Sequence, residues 1–233
     1  AVKVGLSTDE GGLNDKSFNQ AADTGLKKAA TDLGIDYKGI ESKSKDDYEP
    51  NFEALIQDGR QLVFGVGFQM EQAIEDVAKK HPDTKFAVID TVVDLQNVES
   101  ITFKEQESSF LMGVIAGKMT KTNKIGFIGG KESETISHFE AGFTAGVASV
   151  NPKAAEGLKS KDGKTFGTYV KYVNDFSDAT EGYEAGKALY ASGCDIVYHA
   201  AGGVGVGLFK AAKELTDEDF LKARDGRLFN RRG

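Results

Sequence analysis

The chain has 233 residues, a formal net charge of -7, 39% hydrophobic residues, 28 glycines, 3 prolines and 1 cysteine. That length gives room for one large hydrophobic core or two small ones. The composition argues against a nucleic-acid partner, which would need a basic stripe to displace counterions. It also excludes an internal disulfide or thiolate cluster and a helical membrane span, which requires about 18 or more consecutive apolar residues.

The first predicted strand, Val2 to Leu6, is short and apolar and leads into the polar, glycine-broken loop Ser7 to Gln20. Phe18, Ala21, Ala22, Gly25, Leu26, Ala29, Ala30 and Leu33 then recur at helical spacing, predicting a helix over Ser17 to Leu33 with one apolar face. This loop puts the helix N–H groups at the carboxyl end of a sheet, where open α/β folds collect ligands. The alternative is an ordinary connection with Asn14 or Asp15 as N-cap. Strands follow at Ile35 to Ile40, Leu62 to Gly67 and Phe86 to Asp90, separated by helices at Asn51 to Gln57 and Glu71 to Lys80. Val98 to Phe103 and the helical Glu105 to Met119 form the crossing to a second unit.

The second unit repeats the first. Lys3-Val4-Gly5-Leu6 returns as Lys124-Ile125-Gly126-Phe127, and Ser17-Phe18 with Ala21 and Gly25 returns as His138-Phe139 with Gly142 and Gly146, at one constant offset. Gly59 with Leu62-Val63-Phe64 returns at a longer offset as Gly193 with Ile196-Val197-Tyr198, so the polar stretch Lys153 to Thr165 reads as a surface insertion. Strands at Ile125 to Gly129, Phe166 to Val173 and Asp195 to Ala200 alternate with helices at Ser137 to Val150 and Thr180 to Ser192. The alternation predicts an α/β fold of two similar, doubly wound parallel-sheet lobes with right-handed crossovers. Their cleft should be lined by the loops that follow the strands.

Three such loops carry residues suited to a small polar aromatic ligand: Asp9, Asn14 and Phe18 in the first, Asp90 in the second, and Phe176 within Asn174 to Asp178 in the third. A carboxylate accepts two hydrogen bonds at once, as a vicinal diol requires, and facing phenylalanines can clamp a planar ring. Phe18 could instead simply begin its helix's apolar face, and Asp90 could cap the next segment. The glycines of Gly202-Gly203-Val204-Gly205-Val206-Gly207 fit neither a Walker motif nor G-x-G-x-x-G spacing, so tight packing and close ligand approach explain them better than a dinucleotide. His81, His138 and His199 belong to no catalytic or metal-ligand pattern, and Asp9, Asp15 and Asp90 lack the tight acidic cluster that Ca²⁺ would need. No catalytic residue, metal or cofactor is expected, and Cys194, before apolar Ile196-Val197-Tyr198, reads as a packed core thiol.

Over residues 1 to about 214 the chain resembles the basic membrane protein family of bacterial lipoproteins, the purine nucleoside receptor type of ABC-transporter substrate-binding protein. The resemblance rests on Val4-Gly5-Leu6 with Gly11 to Gln20, on Phe86-Ala87-Val88-Ile89-Asp90, on Glu107-Ser108-Ser109-Phe110-Leu111-Met112-Gly113, and on Ala200-Ala201-Gly202-Gly203. It implies a two-lobed, hinged Venus-flytrap architecture like that of periplasmic binding proteins, with lobes at 1–103 and 104–215 and a base stacked between Phe18 and Phe176. Asp9 and Asp90 would hold the base edge and ribose, with Asn14 and the Gly202-Gly203 backbone nearby. The implied ligand is guanosine, inosine or adenosine, and the implied partner an ABC permease. The protein would then work as a monomer outside the cytoplasm, its precursor lipid-anchored to the cell membrane. The C-terminal part of the family pattern is missing, residues 216–233 form an atypical tail with Arg224, Arg227, Arg231 and Arg232, and the expectation is weak or absent nucleoside affinity. A nucleoside hydrolase and the effector domain of a two-lobed regulator are the competing classes.

Overall fold

The computed structural model describes residues 1–224, with side chains as far as residue 216. They divide into two compact units, Ala1–Ser108 with Ser133–Phe139, and Ser109–Glu132 with Glu140 onward.

The first unit is built on β1 (Lys3–Thr8), β2 (Asp36–Ile40), β3 (Leu62–Val66), β4 (Lys85–Ile89) and β5 (Val98–Ile101), all parallel in the order β2-β1-β3-β4-β5. Its helices are α1 (Phe18–Leu33), α2 (Tyr48–Gln57) and α3 (Glu71–Lys80). Phe52 and Leu55 of α2 and Ile74 and Val77 of α3 meet Val63, Phe86 and Val88 of the sheet in one buried cluster. Gly5 and Gly65 admit these helices: a Cβ on Gly65 would stand 2.2 Å from Ile74 Cδ1, and one on Gly5 2.9 Å from Leu55 Cδ2. At the amino end of the sheet the buried Arg60 donates to the Val4 and Asp36 carbonyls and pairs with Asp36 and Asp58, so its charge is compensated.

The second unit holds β6 (Ile125–Gly129), β7 (Val170–Tyr172) and β8 (Ile196–Ala200), parallel in the order β7-β6-β8. Around them run α4 (Glu105–Met119), α5 (Glu134–Val150), α6 (Pro152–Ala155), α7 (Ala179–Ala191) and α8 (Val204–Arg224). Helix pairs meet at glycines. A Cβ on Gly113 of α4 would lie 2.1 Å from the Phe143 carbonyl oxygen of α5, and one on Gly207 of α8 1.7 Å from the Ala179 carbonyl oxygen of α7. Cys194 is buried with Ile128, Leu189 and Leu208, and burial pushes its thiol up to about 11. It is the packed core thiol the sequence suggested. The parallel α/β architecture is likewise as expected.

Three local expectations are corrected. The face of α1 that turns inward carries Asn19 and Asp23, whereas Ala21, Gly25 and Leu33 of the supposed apolar face are exposed. Both polar side chains find a partner inside, Asn19 Nδ2 donating to Asp9 at 2.7 Å while its buried Oδ1 has none among the described residues, and Asp23 accepting from the Tyr37 hydroxyl at 2.7 Å, which offsets part of their desolvation. The stretch from Lys153 to Thr165 is not all surface: Ala154, Ala155 and Leu158 are buried, with Asn151 capping α6 through the Ala154 N–H. The strand expected over Phe166 to Val173 shortens to β7, and the exposed Phe166 stacks on Tyr172 at 4.5 Å. The tail expected over residues 216–233 begins inside the single helix α8, and residues 225–233, including Arg227, Arg231 and Arg232, lie outside the described residues.

Candidate functional site

The carboxyl ends of β1, β3 and β4 carry a buried polar framework. Asp9, just past β1, is 7% exposed, and its Oδ1 accepts from the Gly11 N–H at 3.0 Å and from Asn19 Nδ2 at 2.7 Å. Its other oxygen lies 2.9 Å from where a Cβ on Gly67 would stand, and Gly67, at φ 114°, occupies backbone space closed to most side chains. Burial raises the Asp9 carboxyl above its ordinary value, and the Asn19 and Gly11 hydrogen bonds oppose that rise. Asp15 is also buried, and it takes the N–H groups of Ser17, Asn19 and Gln20. The first N–H groups of α1 are thus spent on a cap, so the helix terminus is not the open anion cradle that a strand-loop-helix connection suggests.

Beside this framework lies a cavity of about 490 Å³ lined largely by apolar groups, including Phe18, Ala21, Ala22 and Ile89. Phe103 and Phe139 complete an aromatic wall, and the polar groups on the rim are Asp90, Lys104, Glu105 and Ser108. The outward apolar face of α1 therefore borders a cavity. Asp90 sits at φ 70°, an uncommon conformation for a residue other than glycine, with its N–H held by the Ile101 carbonyl at 2.9 Å. Burial, reinforced by the neighbouring charges of Glu105 and Asp9, pushes its carboxyl up to about 6. A second cavity of about 590 Å³ shares Asp90, Phe103 and Glu105 with the first and adds Glu71, Thr91 and His138. A half-buried aromatic ring beside carboxylates that accept hydrogen bonds suits a planar ligand rich in N–H and O–H donors.

In the second unit the strand ends gather three further segments. Gly130 donates to the Ala200 carbonyl at 3.0 Å, Asn174 to the Gly130 carbonyl at 2.9 Å, and Gly203 to the Phe176 carbonyl at 2.8 Å. The Phe176 ring is 7% exposed and covers Gly130, where a Cβ would come within 2.2 Å of it. Gly202, at φ 54°, turns the chain from β8 into α8. Asp175 accepts from Ser177 and Asp178, and Asp178 caps α7 through Thr180 and Glu181, so these two carboxylates are structural.

Phe18 and Asp90 of the expected site residues thus line one cavity, and Asp9 lies close enough to raise the cost of ionising Asp90. Asn14 is exposed and does not line it, while Phe176, Gly202 and Gly203 stand at the sheet edge of the other unit. Phe103, Glu105, Phe139 and Asn19 were missed. Phe103 and Glu105 did carry a signal, since an aromatic residue and a carboxylate directly follow a strand in Ile101-Thr102-Phe103-Lys104-Glu105. Asn19 was hidden by lying one residue off the apparent apolar stripe. Among the described residues no group of three or more His, Cys, Asp or Glu side chains is placed to hold a metal ion, and no helix is long and apolar enough to cross a membrane.

Comparison with known proteins identifies the family. The chain is 43% identical over 226 residues to a CD4+ T-cell-stimulating antigen of Listeria monocytogenes, covering 94% of this chain and 60% of that protein. It is 42% identical over 219 residues to the ABC transporter nucleoside-binding protein BmpA of Lactococcus lactis, covering 92% of this chain and 59% of that protein. Among solved structures, an ABC transporter solute-binding protein from Aeropyrum pernix K1 matches with a TM-score of 0.80 at 29% identity, covering 94% of this chain and 60% of the other. The chain thus spans about 60% of the length of these relatives. The family model for PnrA-like ABC transporter substrate-binding proteins matches residues 2–223, and the chain belongs to that family, one of binding proteins rather than enzymes.

Proposed function

We propose that this protein binds purine nucleosides outside the cytoplasm and delivers them to an ABC permease in the membrane. The observation that carries the reading is the cavity in which the half-buried Phe18 stands beside Asp90, with the buried Asp9 behind it. A purine ring stacks on Phe18, and the carboxylates accept from base N–H groups and ribose hydroxyls. Stacking of a base on an aromatic side chain contributes about 1–3 kcal/mol. Asn14, Phe176 and the Gly202-Gly203 backbone are further candidate contacts, and guanosine, inosine and adenosine the candidate ligands. The name of the Lactococcus relative supports a nucleoside ligand, and that of a Pyrococcus abyssi relative, 34% identical and described as a lipoprotein, supports a lipid-anchored precursor. The protein acts as a monomer.

Ligand-observed NMR with guanosine, inosine, adenosine and free ribose tests the ligand class and reads weak as well as tight complexes. Saturation transfer to the base protons of the nucleosides is the expected outcome. Transfer to ribose alone, or to none of the four, would overturn the reading.

A further inference from the structure

We propose that Glu105 is a specificity-determining ligand contact, which with Asp90 forms a two-carboxylate edge that selects purines carrying a ring N–H, and that His138 positions it. The inference rests on the nucleoside reading above and assigns a part of that site to residues outside its expected set.

Glu105 opens α4, where a carboxylate is favoured by the helix dipole alone. That role needs neither burial nor a partner, yet the Glu105 side chain is 9% exposed and borders both cavities. Its Oε2 stands 3.5 Å from Nδ1 of His138, a residue of α5 lining the second cavity. His138 itself is half exposed, and its other nitrogen faces Glu134 at 3.9 Å. Asp90 reaches the same two cavities from the end of β4, and the charge of Glu105 raises the cost of ionising Asp90. Lys104, exposed, is the cation lining the first cavity. Two like charges beside an apolar wall of Phe18, Phe103 and Phe139 are relieved by a ligand that brings donors to both.

Chemistry then separates the purines. Guanine and hypoxanthine present a ring N–H at position 1, which a carboxylate accepts, and guanine adds an amino group beside it. Adenine presents a lone pair at that ring nitrogen, which a carboxylate repels. A carboxylate at this place therefore favours guanosine and inosine over adenosine, by about tenfold if one buried hydrogen bond decides the difference. His138, its Nδ1 3.5 Å from Oε2, is placed to hold one oxygen of Glu105 and leave the other for the ligand.

The test is titration of the protein with guanosine and with adenosine, comparing wild type, Glu105→Gln, Glu105→Asp, His138→Ala and His138→Asn, with melting temperatures recorded for each. Wild type should prefer guanosine, and Glu105→Gln, whose amide both donates and accepts, should bring the two affinities to within about threefold. Glu105→Asp keeps the charge and should retain the preference, so it stands in should Glu105→Gln fold poorly. His138→Ala should narrow the ratio, and His138→Asn, which restores a donor near the Nδ1 position, should recover it. An unchanged ratio in folded Glu105→Gln, or a wild-type preference for adenosine, overturns the inference while leaving nucleoside binding intact. Failure of wild type to bind either nucleoside overturns the nucleoside reading and this inference together.

Discussion

At the scale of single residues, Asp90 is where charge and ligand meet. Its carboxyl is pushed up to about 6 by burial and then by the charges of Glu105 and Asp9. A raised carboxyl stabilises the folded state most when protonated. The contribution is therefore fully present below the ordinary value of about 4 and is lost as the pH rises through about 6. Binding runs the other way, because only the ionised carboxylate accepts from two ligand donors. Nucleoside affinity should fall as the pH is lowered through about 6, while Asp90→Asn should bind more weakly at pH 7.5 and vary less over that interval. Guanosine titrations at stepped pH values check this, and parallel curves for the two proteins would remove Asp90 from the site. Phe18 and Asp90 are legible as candidates because Asp90 directly follows β4 and Phe18 closes the loop that follows β1. The capping role of Asp15 stayed one of two options, since nothing in Asn14-Asp15 says which side chain folds back on the helix.

At the scale of elements, alternation of short apolar runs with helical periodicity located every strand and most helix spans, because parallel strands buried on both faces read as continuous apolar segments. The orientation of α1 was not legible. A periodicity argument ranks faces by hydrophobicity, but the buried face here is decided by whether Asn19 and Asp23 find partners, and both do. Within the segment from Gly202 to Gly207, close packing accounts for Gly205 and Gly207. A Cβ on Gly205 would meet the His199 ring at 2.1 Å, and one on Gly207 the Ala179 carbonyl. The same logic holds between α4 and α5, where Gly113 and Gly146 lie with their Cα-side surfaces against backbone carbonyls. Gly113→Ala must push the helices apart or shift the backbone, because the atom it meets at 2.1 Å belongs to the main chain. It should cost about 1–3 kcal/mol in denaturant unfolding, and a midpoint equal to wild type would show that the pair has room to give.

At the scale of the whole molecule, the internal repeat corresponds to two parallel sheets, each flanked by helices. The family follows from ordered motifs spread across both units and matched over residues 2–223. The ligand does not follow from the fold, which positions loops without choosing their chemistry; it is argued from Phe18, Asp90, Asp9 and Glu105. Phe18 is also where the competing explanation is sharpest, since a ring that merely opened the apolar face of α1 would matter to stability alone. It is half-buried, so Phe18→Ala should cost well under the about 3–5 kcal/mol of a fully buried phenylalanine. The most direct test is a guanosine titration of wild type and Phe18→Ala, with thermal unfolding of both. Saturable binding by wild type that weakens by about 1–3 kcal/mol in a variant of nearly unchanged melting temperature is the predicted result. Equal binding by both proteins, or a variant that unfolds while its folded fraction still binds guanosine normally, would contradict it.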